Sequence, residues 1–306
     1  MTQKNIVVLG SVNLDHAVQS PRLPQQGETI MGHSYQQARG GKGANQAVAA
    51  ARLGAKPSFI ACVGDDAAAH EAVESFRSDG INTDHVRICE GESTGVALIL
   101  VDSEGHNCIS IAQNANAKLS ADVVGDKQEV IQQADYLLMQ LETPLDGIER
   151  AVEIASQANT RIVLNPAPAR PLDDELLSQL YLITPNETEA EILTGVKVTD
   201  TATAQQAAEL LASKGVEMVI ITMGAQGAYL YQQGQGELIP GFRVEAKDTT
   251  AAGDTFNGAL LVALSRGDAM KDAIRFAHKA SALSVTRMGA QSSIPYPDEL
   301  TIFDDK

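Results

Sequence analysis

Short apolar runs alternate with helical patterns along most of this chain, and that alternation constrains the fold more than any other feature. Ile6–Leu9, Ser58–Val63, Tyr136–Leu141, Arg161–Leu164, Tyr181–Thr184 and Met218–Thr222 read as buried strands. Ala44–Leu53, Ala67–Ser78, Ala121–Gln132, Leu145–Ala155, Glu187–Leu193 and Ala202–Ser213 read as helices between them. The pattern predicts an α/β fold with a mostly parallel central sheet flanked by helices. In such sheets ligands gather at the carboxyl ends of the strands.

Two regions break the rhythm. Residues 13–39 hold strand-like pieces around His16–Gln19 and Thr29–Tyr35, with turns at Pro21, Pro24 and Gly27. Gly95–Val101 and Asn107–Ile111 read as a hairpin closed by the turn-rich Asp102–His106. The two excursions are expected to pair into a small antiparallel β-sheet that projects as a lid. Residues 1–12, 40–94 and 113–306 would then form the core, and 13–39 and 95–112 the lid.

Charge narrows the partners. The net charge is −16, a field that repels nucleic acid and anionic membranes. An anionic small molecule would need local N–H groups, a few cations or a bound metal. Cys62, Cys89 and Cys108 are too few and too scattered for a disulfide framework or a zinc site. Met1–Asn5 lack the apolar core of a signal peptide, and no apolar run reaches membrane-spanning length. A soluble, cytoplasmic protein is expected.

The chemistry is densest in Asp248-Thr249-Thr250-Ala251-Ala252-Gly253-Asp254-Thr255-Phe256-Asn257-Gly258. Ala251, Ala252 and Gly253 let a backbone approach an anion, and the helical pattern that follows aims free N–H groups at it. Asp254 lies in that first turn, where a carboxylate can take a proton from an attacking hydroxyl. These are the parts of a phosphoryl-transfer site.

Other motifs admit two readings each. The run from Gly40 to Ala51 includes Gly41, Lys42 and Asn45 and lacks Walker A spacing. It is either a polyol site or a tight, closely packed helix start. Asn13 and Asp15 point the same way on an extended backbone, so they suit sugar hydroxyls, or they make a turn. Glu142 closes a strand, as a ligand group or as a helix N-terminal carboxylate. Asn165-Pro166-Ala167-Pro168 reads as a rigid loop that shapes the site wall. Asn186 and Glu189 form a capping box or orient magnesium-bound water. Thr222–Ala228, with Gly224 and Gly227, is a loop over nucleotide phosphates or a plain turn. Ser284–Ser293 could offer oxygens to a hard cation together with Asp248, or simply end a helix. His278 is a packed histidine or a contact to a base.

Taken together these motifs resemble the ribokinase family of sugar kinases, the PfkB-type carbohydrate kinases. The resemblance rests on Gly10–Asp15, the Gly40–Ala47 run, Asn165–Ala169, Thr184–Glu191 and the block from Asp248, and it covers nearly the whole chain. It implies ATP-dependent phosphorylation of D-ribose at its 5-hydroxyl, with Asp254 as base and Ala251, Ala252 and Gly253 as anion hole. Asn13, Asp15, Gly41, Lys42, Asn45 and Glu142 would surround the sugar. Asn186, the Thr222–Gly227 loop, Gly253 and His278 would contact the nucleotide. Asn186 and Glu189 would support Mg2+ through water. Asp248, Thr250, Ser284, Arg287, Gly289 and Ser293 would frame an activating K+, several through main-chain oxygens. The resemblance also implies a homodimer clasped through the lid sheet. The alternative is a kinase for another small sugar or a nucleoside. An NAD-binding oxidoreductase lacks its fingerprint here, and a sugar sensor would not need a base beside an anion hole.

Overall fold

The computed structural model describes residues 3–303, so the first two residues of the Met1–Asn5 segment lie outside it. Its strands are β1 (Ile6–Leu9), β2 (Asn13–Gln19), β3 (Ser34–Gly40), β4 (Ser58–Gly64), β5 (Val86–Cys89), β6 (Gly95–Val101), β7 (Asn107–Ala112), β8 (Tyr136–Met139), β9 (Arg161–Leu164), β10 (Leu182–Ile183), β11 (Met218–Thr222), β12 (Gly227–Gln232) and β13 (Gln235–Pro240). Its helices are α1 (Lys42–Arg52), α2 (Ala67–Ser78), α3 (Ala121–Gly125), α4 (Gln128–Gln132), α5 (Leu145–Gln157), α6 (Asp174–Leu177), α7 (Glu187–Thr194), α8 (Thr201–Ser213), α9 (Ala252–Arg266) and α10 (Met270–Ser284).

Nine strands form one sheet in the order β13-β12-β11-β10-β9-β8-β1-β4-β5. All pairs are parallel except β11–β12 and β12–β13. Alternate side chains of each central strand enter opposite cores. Ile6 and Val8 pack with α1, α2, α9 and α10, whereas Val7 and Leu9 pack with α3 to α8. Burial on both faces explains why β1, β8 and β9 read as unbroken apolar runs. The chain leaves β1 toward β4 on one side and later returns to β8 on the other. The β1/β8 boundary is therefore the topological switch point, where the crevice beyond the strand ends takes a ligand.

A second sheet has the order β3-β2-β6-β7. Its β2–β3 and β6–β7 pairs are antiparallel, as expected, but the central β2–β6 join is parallel. The two excursions leave from β1 and β5, parallel strands separated by β4, and so start out in the same direction. The strand expected at Thr29–Tyr35 lies instead at Ser34–Gly40. Pairing with β2, from Asn13↔Gly40 to Gln19↔Ser34, selects that polar segment over the more apolar one before it.

Other differences follow from local chemistry. The single helix expected over Ala121–Gln132 is two five-residue helices that break after Gly125, a poor helix residue. Strand Tyr136–Leu141 ends at Met139, and Tyr181–Thr184 shortens to Leu182–Ile183. Strands β5, β12 and β13 are not among the expected strands; β5 and β13 are the two edges of the sheet, and β12 lies beside β13. The β12–β13 hairpin turns at Gln233 and Gly234, both with positive φ, 51° and 75°. Gln-Gly is a weaker turn signal than Asn-Gly. Among the described residues no helix is long and apolar enough to cross a membrane.

Candidate active site

The first turn of α9 sits under the strand ends. Ala251 precedes it in the left-handed region, φ 59°, and the first bond of the helical ladder runs from Thr255 N–H to Ala251 O, 2.8 Å. A non-glycine residue held at positive φ is strained, and such strain is found at functional sites. Gly253 and Asp254 lie ahead of that first bond, so their N–H groups face outward from the helix end. Ala252 differs from expectation: its N–H already donates to Thr249 O at 3.2 Å. Gly253 is exposed, and a Cβ built there would meet nothing within 4 Å.

Asp254 itself is buried. Asn45 Nδ2 donates to its Oδ2 and Gln46 Nε2 to its Oδ1, both at 2.9 Å. Burial pushes the carboxyl above its ordinary range, while Lys42, Asn45 and Gln46 oppose that push. The contact depends on how closely α1 and α9 approach. A Cβ on Gly258 would stand 2.7 Å from Gln46 O and 2.5 Å from the Ala49 Cβ. Small residues on both helices thus bring Asn45 and Gln46 to Asp254.

The glycine run opening α1 has a structural explanation of its own. A Cβ on Gly43 would lie 2.5 Å from Gly10 C and Ser11 N, and one on Gly41 would lie 2.8 Å from Asn13 N. Gly41 also has φ 89°. These glycines let α1 press against the end of β1, the close-packing reading. The polar residues between them carry the chemistry.

Glu142 serves that same helix start. Its Oε2 accepts from Ser11 Oγ at 2.5 Å and from the Lys42 N–H at 3.0 Å. It therefore supports the N-terminus of α1, across the switch point, rather than that of the helix following it. Lys42 is surrounded by negative charge. Burial alone would lower its pKa, but Asp254, Glu142, Glu189 and Asp15 together hold it above the ordinary value. Asp15 is pushed up to about 7 by burial and by Glu142 and Asp254, with Lys42 opposing. Gly40 makes room for it, since a Cβ there would fall 2.1 Å from Asp15 Oδ2. Asn13 is held by a residue with no sequence signal: Asn116 Nδ2 donates to Asn13 Oδ1 at 2.8 Å. One acceptor in this group is unsatisfied. Asn45 Oδ1 is buried without a hydrogen-bond partner.

Asn186 and Glu189 do form the capping box, with bonds of 2.8 and 2.9 Å. Glu189 nonetheless belongs electrostatically to the site. Burial raises its pKa, its bond to the Asn186 N–H and the charge of Lys42 oppose this, and Asp254 adds to the rise. Thr222 is tied to the same place by a parallel bridge to Asn186. The loop after it turns at Gly224, φ 51°, and at Gly227, where a Cβ would meet Ile239 O at 2.1 Å. His278 is buried on α10, its ring centroid 5.2 Å from that of Phe256. Burial lowers its pKa to about 4, so the ring is neutral at pH 7, and its Nε2 has no partner.

Of the residues expected to frame a cation, Asp248, Thr250 and Gly289 are bonded to one another. Asp248 Oδ2 accepts from the Gly289 N–H at 2.8 Å, and Oδ1 from Thr250 N–H and Oγ1 at 2.9 and 2.6 Å. Burial would raise the Asp248 pKa, yet these bonds bring it below the ordinary value. The Arg287 side chain pairs with Glu299 at 2.6 Å, and the Ser284 and Ser293 hydroxyls donate to the carbonyls of Ser281 and Ala290. Those three side chains are committed elsewhere. The oxygens left to a cation are mainly main-chain, a donor set that suits a hard monovalent ion. A cavity of about 480 Å3 lies next to this loop, between Asp248–Thr250, Met288–Ala290 and the β2–β3–β6–β7 face that carries Asp15.

A buried carboxylate beside a helix N-terminus, in a polar crevice at a switch point, is an arrangement that an α/β scaffold can use for phosphoryl transfer. The chain belongs to the pfkB family of carbohydrate kinases, whose family model matches residues 3–297. It is similar to the ribokinase of Haemophilus influenzae, 51% identical over 301 residues and 98% of each chain. The crystal structure of ribokinase from Thermotoga maritima superposes with a TM-score of 0.90 at 37% identity, covering 99% of this chain and 100% of that one. The structure of Arabidopsis thaliana ribokinase complexed with ribose and ATP also gives 0.90, at 32% identity and 98% of each chain.

Proposed function

We propose that this chain transfers the γ-phosphoryl group of ATP to the 5-hydroxyl of D-ribose, giving ribose 5-phosphate and ADP. The supporting observation is the pairing of an orphaned acceptor, Asn45 Oδ1, with the buried base Asp254 beside an open helix N-terminus. A polyol has more than one hydroxyl: one would donate to Asn45 Oδ1, and the attacking one would surrender its proton to Asp254. Asn13, Asp15, Gly41, Lys42 and Glu142 complete a polar surround for a free sugar.

Phosphoryl transfer asks mainly for alignment and charge stabilisation. The N–H groups of Gly253 and Asp254, with Ala252 released from its turn bond, would meet charge that grows on the transferred group. Each such donor is worth about 2.7–4 kcal/mol. Lys42 would share its charge with the phosphates. Glu189 and Asn186 would hold magnesium through water, and the ion would supply further neutralisation of phosphate charge. Thr222, Gly224, Gly227 and His278 would line the nucleotide. Asp248 and main-chain oxygens of Thr250, Ser284, Arg287, Gly289 and Ser293 would hold potassium beside the anion hole.

The four-stranded sheet would close over the sugar as a lid made of residues 13–39 and 95–112. Its outer face carries Tyr35 and Leu98, both more than half exposed. A second copy of the chain would cover that face, and light scattering should report twice the 32.4 kDa mass; a monomer with full activity would remove the clasp.

The function is tested by ADP release with D-ribose, 2-deoxyribose, fructose, 2-keto-3-deoxygluconate and a nucleoside. D-ribose should give the highest kcat/KM, and the rate should fall when sodium replaces potassium. No ribose-dependent ADP would overturn the activity, and identical rates in both salts would remove the monovalent cation.

Asp15 adds a pH dependence. A carboxylate accepts hydroxyl protons, whereas its acid form has lost much of that capacity. With a raised pKa of about 7, Asp15 protonates as pH falls through neutrality. The KM for ribose should therefore rise below pH 7 and level off above it. Asp15→Asn should flatten that profile, and an unchanged slope in the variant would assign the titration to another group.

A further inference from the structure

Gln46 is fully buried, yet no sugar or nucleotide role has been assigned to it. Its amide nitrogen donates to Asp254 Oδ1 at 2.9 Å and to Asn165 Oδ1 at 3.0 Å, while its carbonyl accepts from Gln140 Nε2 at 2.6 Å. The orientation is forced, because a carboxylate can only accept. From Asn165 the bonds continue. Asn165 Nδ2 donates to Thr184 O at 3.2 Å, Thr184 Oγ1 to Asn257 Oδ1 at 2.7 Å, and Asn257 Nδ2 to Gly253 O at 2.8 Å. The circuit thus begins on the carboxylate of Asp254 and ends on the carbonyl one residue before it. It crosses the ends of β8, β9 and β10, and every side chain in it is buried.

We infer that Gln46 is a positioning residue: it anchors Asp254 Oδ1 to the rigid strand ends, so that Oδ2, beside Asn45, stays turned toward the sugar hydroxyl. This rests on the reading of Asp254 as base. Buried polar groups are costly unless partnered, and linked ones restrict one another's geometry; in this network Gln140 Oε1 lacks a partner, while every bond from Gln46 to Gly253 O is made. A donor to the charged form also favours ionisation. The other charged groups acting on Asp254 are Lys42 on α1, Glu142 after β8, Asp15 on β2 and Glu189 on α7. Gln46→Met leaves all of these in place and removes only the amide.

The test compares Gln46→Met with the parent enzyme by steady-state kinetics across pH and by thermal melting. The turnover should fall by about 10–100-fold, the effect of a slightly misplaced reacting group. The KM for ribose should stay within about threefold, since a contact felt mainly in the transition state is lost. The acid limb of the kcat profile should move up by about one pH unit, since the ionised base has lost a donor. A lower melting temperature with kcat and the acid limb unmoved would overturn the inference and leave Gln46 as packing. If Gln46→Met does not fold, Gln140→Met decides: it removes the donor behind Gln46 and should shift the same limb in the same direction by less. An unmoved limb there would equally overturn it. Asp254→Asn is the control. Full turnover in that variant defeats the base itself, whereas a dead Asp254→Asn beside an unaltered Gln46→Met defeats only the positioning role.

Discussion

Asp254→Asn should fold and bind ribose but lose turnover by about 10²–10⁴-fold, the contribution typical of a positioned base. The stability side can be argued from the same bonds. Asp254 accepts from two amides, Asn45 Nδ2 and Gln46 Nε2, one on each oxygen. An asparagine has one acceptor oxygen, so one buried N–H loses its partner, at a cost of about 1–3 kcal/mol. Against this, a carboxylate that burial has already driven toward protonation is replaced by a neutral group. The two effects oppose, and the melting temperature should change little. Ribose affinity should change far less than kcat, because Asn13, Asp15, Lys42, Asn45 and Glu142 remain. The check is turnover by ADP release together with ribose binding by calorimetry. Turnover close to that of the parent would remove Asp254 as base.

One added methyl should have opposite consequences at two glycines. At Gly253 it would point into open space on a well-formed helix. Alanine is favoured over glycine in helices, a preference only partly felt in the first turn, so Gly253→Ala should melt at the same temperature or slightly higher. The open space is also where an anion would approach the helix end. Turnover should drop by about 10²-fold or more, the scale for loss of one anion-hole donor. At Gly43 the same methyl would press on Gly10 and Ser11 backbone at 2.5 Å. Neither strand nor helix can yield without dragging core side chains, so Gly43→Ala should lower stability by about 1–3 kcal/mol, the cost of overpacking. Equal behaviour of the two variants would contradict this division between ligand space and packing space.

The residues that carry charge were the most legible part of the site. Asp15, Lys42, Glu142, Glu189 and Asp254 lie in five separate stretches of sequence, each beside a turn or strand end, and the structure brings them within electrostatic reach of one another. The neutral amides were less legible. Gln46 and Asn257 sat inside motifs already noted for other reasons, and Asn165 read as part of a stiff loop. Asn116 had no signal, because an amide in a polar loop looks like any other until its partners at Val12 and Asn13 are known. Glu142 reads as a strand-end ligand group or a helix N-terminal carboxylate, and the sequence does not say which helix. The helix start it reaches is that of α1, at Lys42 N–H, a hundred residues away.

By itself the sequence determined the layers. Burial on both faces demands continuous apolar strands, and that demand is local, so it is written in the order of residues. It likewise determined the helix-end cradle around Ala251–Asp254, since small residues followed by a helical pattern need nothing distant to form one. The tertiary structure alone decided register, the parallel join inside the small sheet and the ring of amides around Asp254. Each of these depends on which distant segment lies alongside, and a hydrogen bond's partner leaves no periodic trace in the chain that supplies it.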